Sequence, residues 1–133
     1  MDFETFVKKA AALIPCAVRH EPENEELHLS LKVKEDRKQI VRAYQFEESG
    51  KVMVRFYTVI GKADAFSEKQ LLSLLELNFS LLQGAFALYA GEIIITETIP
   101  LEESRVGDAV QILHYIAQMA DSYEKMTLGL DKN

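Results

Sequence analysis

Among its 133 residues the chain has one cysteine, three prolines and no tryptophan. A single thiol, Cys16, excludes an intrachain disulfide and fits a reducing compartment. The glycines stand singly, with no GxxxxGK[ST], GxGxxG or GxSxG, so no phosphate cradle or nucleophile elbow forms locally. No apolar run approaches the ~18 residues that span a bilayer. The opening MDFETFVKKAAALIPC fails as a secretory signal, because Asp2 and Glu4 precede the lysines and the apolar run behind Lys9 is short. Basic charge is scarce too: 15 Lys and Arg against 21 Asp and Glu leave a net charge of −6. Approach to nucleic-acid phosphates or to an anionic membrane is therefore repulsive. The expectation is a cytoplasmic chain with neither kind of partner.

What is present suits one folded domain over 1–133. Hydrophobic residues make up 48% and charged residues 27%, enough for a core without disulfides or metals. Phe3, Phe6, Val7, Ala10 and Leu13 recur at helical spacing over Asp2 to Leu13, and Pro15 stops that helix. Leu27, Leu29, Leu31 and Val33 alternate with His28, Ser30, Lys32 and Lys34, the period of a half-buried strand. Ile40 to Phe46 and Val52 to Ile60 follow as strands across short polar turns, which predicts an antiparallel meander. Ser67 with Gln70 has the form of a capping box opening a leucine-rich helix that runs to Leu82, with Gly84 as its stop. Leucines on nearly every side of it predict cover on more than one face. Ala85 to Tyr89 and Glu92 to Ile99 flank the hairpin turn Ala90-Gly91, and Pro100 ends the pair. A last helix spans Glu102 to about Met126, leaving 127–133 as a frayed tail. The fold class is α+β in the order α-β-β-β-α-β-β-α, an antiparallel sheet packed with helices, with room for an extra short strand at Ala17 to His20.

Two surfaces carry more apolar side chains than this small fold needs. Val52, Val54, Phe56 and Ile60 form one face of their strand, and Met53, Arg55, Tyr57 and Val59 the other. Where that second face meets Ile40, Arg42, Tyr44 and Phe46, aromatic rings surround Arg42 and Arg55. Aromatics, Met and Arg are the types enriched at interfaces. The plainer expectation is a helix of the same chain covering this face. The last helix shows a stripe through Val106, Ala109, Leu113, Ile116, Ala120 and Tyr123, widened by Ile112, Tyr115, Met119 and Met126. Either a wide core stripe or a second contact accounts for it. The candidate protein-binding or dimer residues are Arg42, Tyr44, Phe46, Met53, Arg55, Tyr57, Ile112, Tyr115 and Met119.

Chemistry of other kinds has little to rest on. His20, His28 and His114 fall on separate elements with no metal-ligand spacing. His28 and Glu26 share a strand face, which reads as a solvated face before it reads as a metal pair. Glu97 shares parity with Ile93, Ile95 and Ile99, which would turn it inward, though a polar strand end or a bulge explains it more simply than catalysis. The other acids cluster in turns and at helix starts, where solvation and the helix dipole favour them. No catalytic residue, metal ligand or cofactor site is assigned, and the chain is expected not to be an enzyme. A small-molecule or enzymatic site would need two of Glu97, Arg55 and His114 at one pocket.

The stretches Leu74-Leu75-Glu76-Leu77-Asn78, Gly84-Ala85-Phe86-Ala87-Leu88-Tyr89, Gly91-Glu92-Ile93-Ile94-Ile95 and Ile99-Pro100-Leu101-Glu102 resemble the type III secretion chaperone-like superfamily. Two branches are similar, the Tir-chaperone-type class I chaperones and the YbjN-like proteins, and Ala120-Asp121-Ser122-Tyr123 leans toward the second. The resemblance implies a small, acidic, non-enzymatic homodimer that holds an extended segment of a client or effector protein along apolar patches. Its YbjN-like branch implies a regulator or stabiliser of cellular proteins unconnected to secretion.

Overall fold

The alternation of Leu27, Leu29 and Leu31 with polar neighbours becomes a strand whose leucines are all buried while Ser30 and Lys32 stay outside. The computed structural model describes residues 1–131, with side chains as far as Glu124. In chain order the elements are α1 (Phe3–Leu13), β1 (Ala17–Glu21), β2 (Glu26–Lys34), β3 (Arg37–Glu48), β4 (Lys51–Lys62), α2 (Glu68–Asn78), β5 (Ala85–Tyr89), β6 (Glu92–Pro100) and α3 (Val106–Asp131), with a 3-10 turn at Ala63–Ala65. The fold is α+β, and β1 supplies the extra short strand. The strands pair antiparallel in one open sheet ordered β1-β2-β3-β4-β6-β5. No helix among the described residues is long and apolar enough to cross a membrane.

One cluster forms the core. Phe6 and Val7 of α1 and Leu113 and Ile116 of α3 meet Leu27, Leu29, Val41, Val54, Phe56 and Ile95 of the sheet. Full burial of each such side chain contributes roughly 1.5–3 kcal/mol against exposure. α3 lies over β2, β3, β4 and β6, α1 packs on α3 and the β1–β3 end, and α2 rests against β5. All these contacts use one strand parity, so the opposite face of the sheet turns away from every described helix.

Local chemistry sets the element ends. Asp2 caps α1 by accepting the Thr5 backbone N–H at 2.8 Å, which holds the Asp2 carboxyl below its usual range. The capping box forms at α2: Ser67 Oγ accepts from the Gln70 N–H at 3.1 Å, and Gln70 Oε1 accepts from the Ser67 N–H at 2.8 Å. The hairpin joining β5 and β6 turns on Ala90 and Gly91, both with positive φ, the geometry of a type I′ turn.

Several expectations about helices are corrected. α2 stops at Asn78 rather than Leu82, because the Asn78 side chain takes both backbone groups of Phe86, accepting its N–H at 2.7 Å and donating to its carbonyl at 3.2 Å. Gly84 therefore stops no helix. Its φ of +75° lets the chain pass over β6, where a Cβ would stand 3.0 Å from the Thr96 carbonyl oxygen. α2 is also covered on one face only: Leu74 is buried, while Leu72 and Leu75 are exposed. α3 begins at Val106, after Ser104 Oγ donates to the Pro100 carbonyl and Asp108 accepts the Arg105 N–H. It stays helical to Asp131, through most of the stretch expected as tail; the last two residues lie outside the described ones.

Candidate functional site

The register of the β3–β4 hairpin builds the site. Arg42 pairs with Tyr57, Tyr44 with Arg55, and Phe46 with Met53. β4 then pairs with β6, setting Arg55 opposite Thr98 and Tyr57 opposite Thr96. These side chains share the face that no described helix covers, so a helix of the same chain is not its lid. The expected cluster of Arg42, Tyr44, Phe46, Met53, Arg55 and Tyr57 is thus brought together, and Tyr89, Ile94, Thr96 and Thr98 join it.

The rings and guanidinium groups order one another. Tyr44 lies 6.0 Å from Phe46 and 6.1 Å from Tyr57, and Tyr57 lies 5.7 Å edge-on to Tyr89. The Arg55 Cζ stands 4.4 Å from the Phe46 ring centre and 5.8 Å from that of Tyr44, and the Arg42 Cζ stands 5.7 Å from that of Tyr57. Arg55 donates from Nε to Thr98 Oγ1 and from Nη1 to Tyr44 Oη, each at 2.9 Å. A shallow hollow of about 310 Å³ lies among Tyr44, Arg55, Tyr57, Tyr89, Thr96 and Thr98.

Beside it runs a polar chain built on Glu26 and His28. The Tyr57 hydroxyl donates to Glu26 Oε2 at 2.6 Å, His28 Nε2 lies 3.0 Å from Glu26 Oε1, and Arg19 Nη2 lies 3.1 Å from His28 Nδ1. A guanidinium only donates, so His28 Nδ1 accepts and Nε2–H points at Glu26. Glu26 is 5% and Tyr57 4% exposed, so the expected solvated face is instead a packed one. The signal for it was the i, i+2 spacing of Glu26 and His28, without any hint that Tyr57 two strands away completes the pair. Burial, and then the hydrogen bond to Glu26, push the Tyr57 phenol above its ordinary value, with Arg42 opposing. Among the described residues no group of His, Cys, Asp and Glu is arranged to hold a metal ion.

The α3 candidates divide. Ile112 is 3% exposed inside the core, a correction explained by α3 packing against both the sheet and α1, which buries a wide stripe. Tyr115 and Met119 are half-buried, and the Tyr115 hydroxyl accepts the Leu82 N–H at 3.3 Å, tying the loop after α2 to α3. The Met126 side chain lies outside the described residues. Glu97 and Arg55 occupy opposite faces of the sheet and His114 is exposed on α3, so these three share no pocket.

A second apolar surface lies at the other end of the sheet. Leu72 and Leu75 of α2 and Leu88 of β5 are exposed, and in the loop after α2 Phe79 is 96% and Leu82 88% exposed. A hollow of about 210 Å³ runs between α2 and β5, lined by Ala63, Leu71, Leu74, Leu75, Phe86 and Leu88 among others. β5 is an edge strand. Asn78 occupies the outward backbone groups of Phe86, so by the alternation of antiparallel ladders those of Leu88 face outward as the next position on that edge. Cys16 is half-buried, and burial pushes its thiol upward, away from the reactive thiolate form.

No protein-family model matches this chain, and no curated protein matches it.

Proposed function

We propose that this chain is a non-enzymatic, chaperone-like protein-binding module that holds an extended client segment and acts as a homodimer in the cytoplasm. The single observation that carries the reading is the exposure of Leu72, Leu75, Phe79, Leu82 and Leu88 around α2 and β5. Single exposed leucines are ordinary, whereas an apolar ridge of this kind, on α2, the loop after it and the edge strand beside it, marks a contact site. The ridge serves the dimer contact, and the helix-free sheet face serves the client. The kinship to secretion chaperones and YbjN-like proteins is part of the same proposal; it draws on the order of elements and on the acidic, motif-poor composition. The lone Cys16 suits a reducing compartment.

Sedimentation at micromolar concentration tests the reading. The expected result is a species of twice the chain mass that a Phe79→Ser, Leu82→Ser double variant converts to the monomer. A wild-type protein that sediments as a monomer over that range rejects the dimer.

A further inference from the structure

We infer that the helix-free sheet face takes an acidic, strand-like polypeptide segment whose carboxylates seat on Arg42 and Arg55. This rests on the protein-binding reading and adds to it the chemistry of the client.

The charge distribution points this way. The chain is acidic overall, at −6, yet the middle of this face presents two guanidinium groups. Among the described residues neither Arg42 nor Arg55 has a carboxylate within ion-pair distance. The acids nearby are committed elsewhere: Glu26 to Tyr57 and His28, and Glu21 to Arg19 at 3.1 Å. Arg55 is instead held by neutral groups, the hydroxyls of Thr98 and Tyr44 and the ring of Phe46. Such partners fix the fork without neutralising it, and Nη2 is left for an incoming carboxylate. Because the side chain is already ordered, less conformational entropy is lost when a ligand arrives.

Spacing selects an extended ligand. Arg42 faces Tyr57 and Arg55 faces Tyr44, which places the two arginines on a diagonal of neighbouring strands. Such diagonals span about 7–8 Å. Alternate side chains of a strand recur every ~6.8 Å on one face. Acidic residues two apart in an extended segment therefore reach both arginines, and the flanking apolar side chains meet the half-buried Tyr44 and the exposed Tyr89. Nucleic acid fits less well, since a dense phosphate backbone meets the repulsion of the whole acidic chain.

Fluorescence anisotropy with short labelled peptides that alternate Leu with Glu, Gln or Lys tests the inference. The Glu peptide is expected to bind tightest, about tenfold over the Lys peptide, with the gap closing as salt is added. Arg42→Gln and Arg55→Gln should each reduce the preference for Glu over Gln, Arg42→Lys and Arg55→Lys should keep part of it, and Lys9→Gln on exposed α1 should keep all of it. Circular dichroism checks that each variant is folded, and the Lys variants carry the test where a Gln variant is not. Equal binding of the Glu and Gln peptides overturns the acidic preference and leaves the protein-binding reading standing. Binding of none of the peptides overturns both. Displacement of the Glu peptide by an equal concentration of oligothymidylate overturns the inference in favour of a phosphate site.

Discussion

Tyr57 on β4 donates its hydroxyl hydrogen to Glu26 on β2 at 2.6 Å, bridging over β3, which lies between them in the sheet. The contact joins two buried polar groups on a face that otherwise has no described cover, and it stiffens three strands at once.

Tyr57→Phe leaves one oxygen of Glu26 buried without its donor. The expected loss is about 1–3 kcal/mol in urea unfolding at neutral pH. The pH dependence has a defined sign. The folded protein holds the Tyr57 proton more tightly than the unfolded chain, whose phenol titrates near 10.0. That share of stability is complete below pH 10 and declines as pH rises beyond it. The difference between wild type and Tyr57→Phe should therefore shrink in unfolding curves taken above pH 10. A difference that grows there rejects the assignment.

Glu124 gives a second pH test. Burial and the nearby Asp121 raise its carboxyl above the ordinary 4.5, and Arg37, paired to Asp121 at 2.9 Å, opposes them. A raised value means that the folded state favours the protonated acid, so this contribution is present below 4.5 and lost as pH rises through the folded value. Glu124→Gln should melt higher than wild type at neutral pH and nearly equal to it at acidic pH.

The α2 surface separates packing from contact. Leu74→Ala should cost about 2–3 kcal/mol, since Leu74 is buried against the core beside a hollow that allows partial relaxation. The Phe79→Ser, Leu82→Ser pair should change monomer stability by no more than about 0.5 kcal/mol per site, since both side chains are exposed. Self-association should respond in the opposite order, and thermal melts alongside sedimentation read the two effects separately.

Asn78→Ala should free the backbone of Phe86 and loosen α2 from β5. Amide exchange at Phe86 should accelerate ahead of exchange in β3 and β4, with a global cost of about 1–2 kcal/mol.

Ala90 sits at φ +51° in its hairpin, a conformation that favours Asn or Gly. Ala90→Asn should raise stability by about 0.5–1 kcal/mol, read as a higher melting midpoint.

Much of this architecture was legible because its signals are local. The leucine alternation of β2, the Ser67–Gln70 box and the Ala90-Gly91 turn act over a few residues. The end of α2 was not legible, since nothing next to Asn78 announces that Phe86 will engage it. Ile112 and Tyr115 both flank the apolar stripe of α3, and only the packing of that helix in the core buries the first and leaves the second half-buried.

By itself the sequence determined the strand and helix periods, the acidic balance and which side chains share each strand face, because backbone geometry assigns these one element at a time. Tertiary structure alone decided which face would be covered. Once α1, α2 and α3 docked on the same side of the sheet, Arg42, Arg55, Tyr44 and Phe46 were left outside, and Glu26, His28 and Tyr57 were drawn into one network. That outcome depends on distances between strands, and these exist only after the chain has closed on its core.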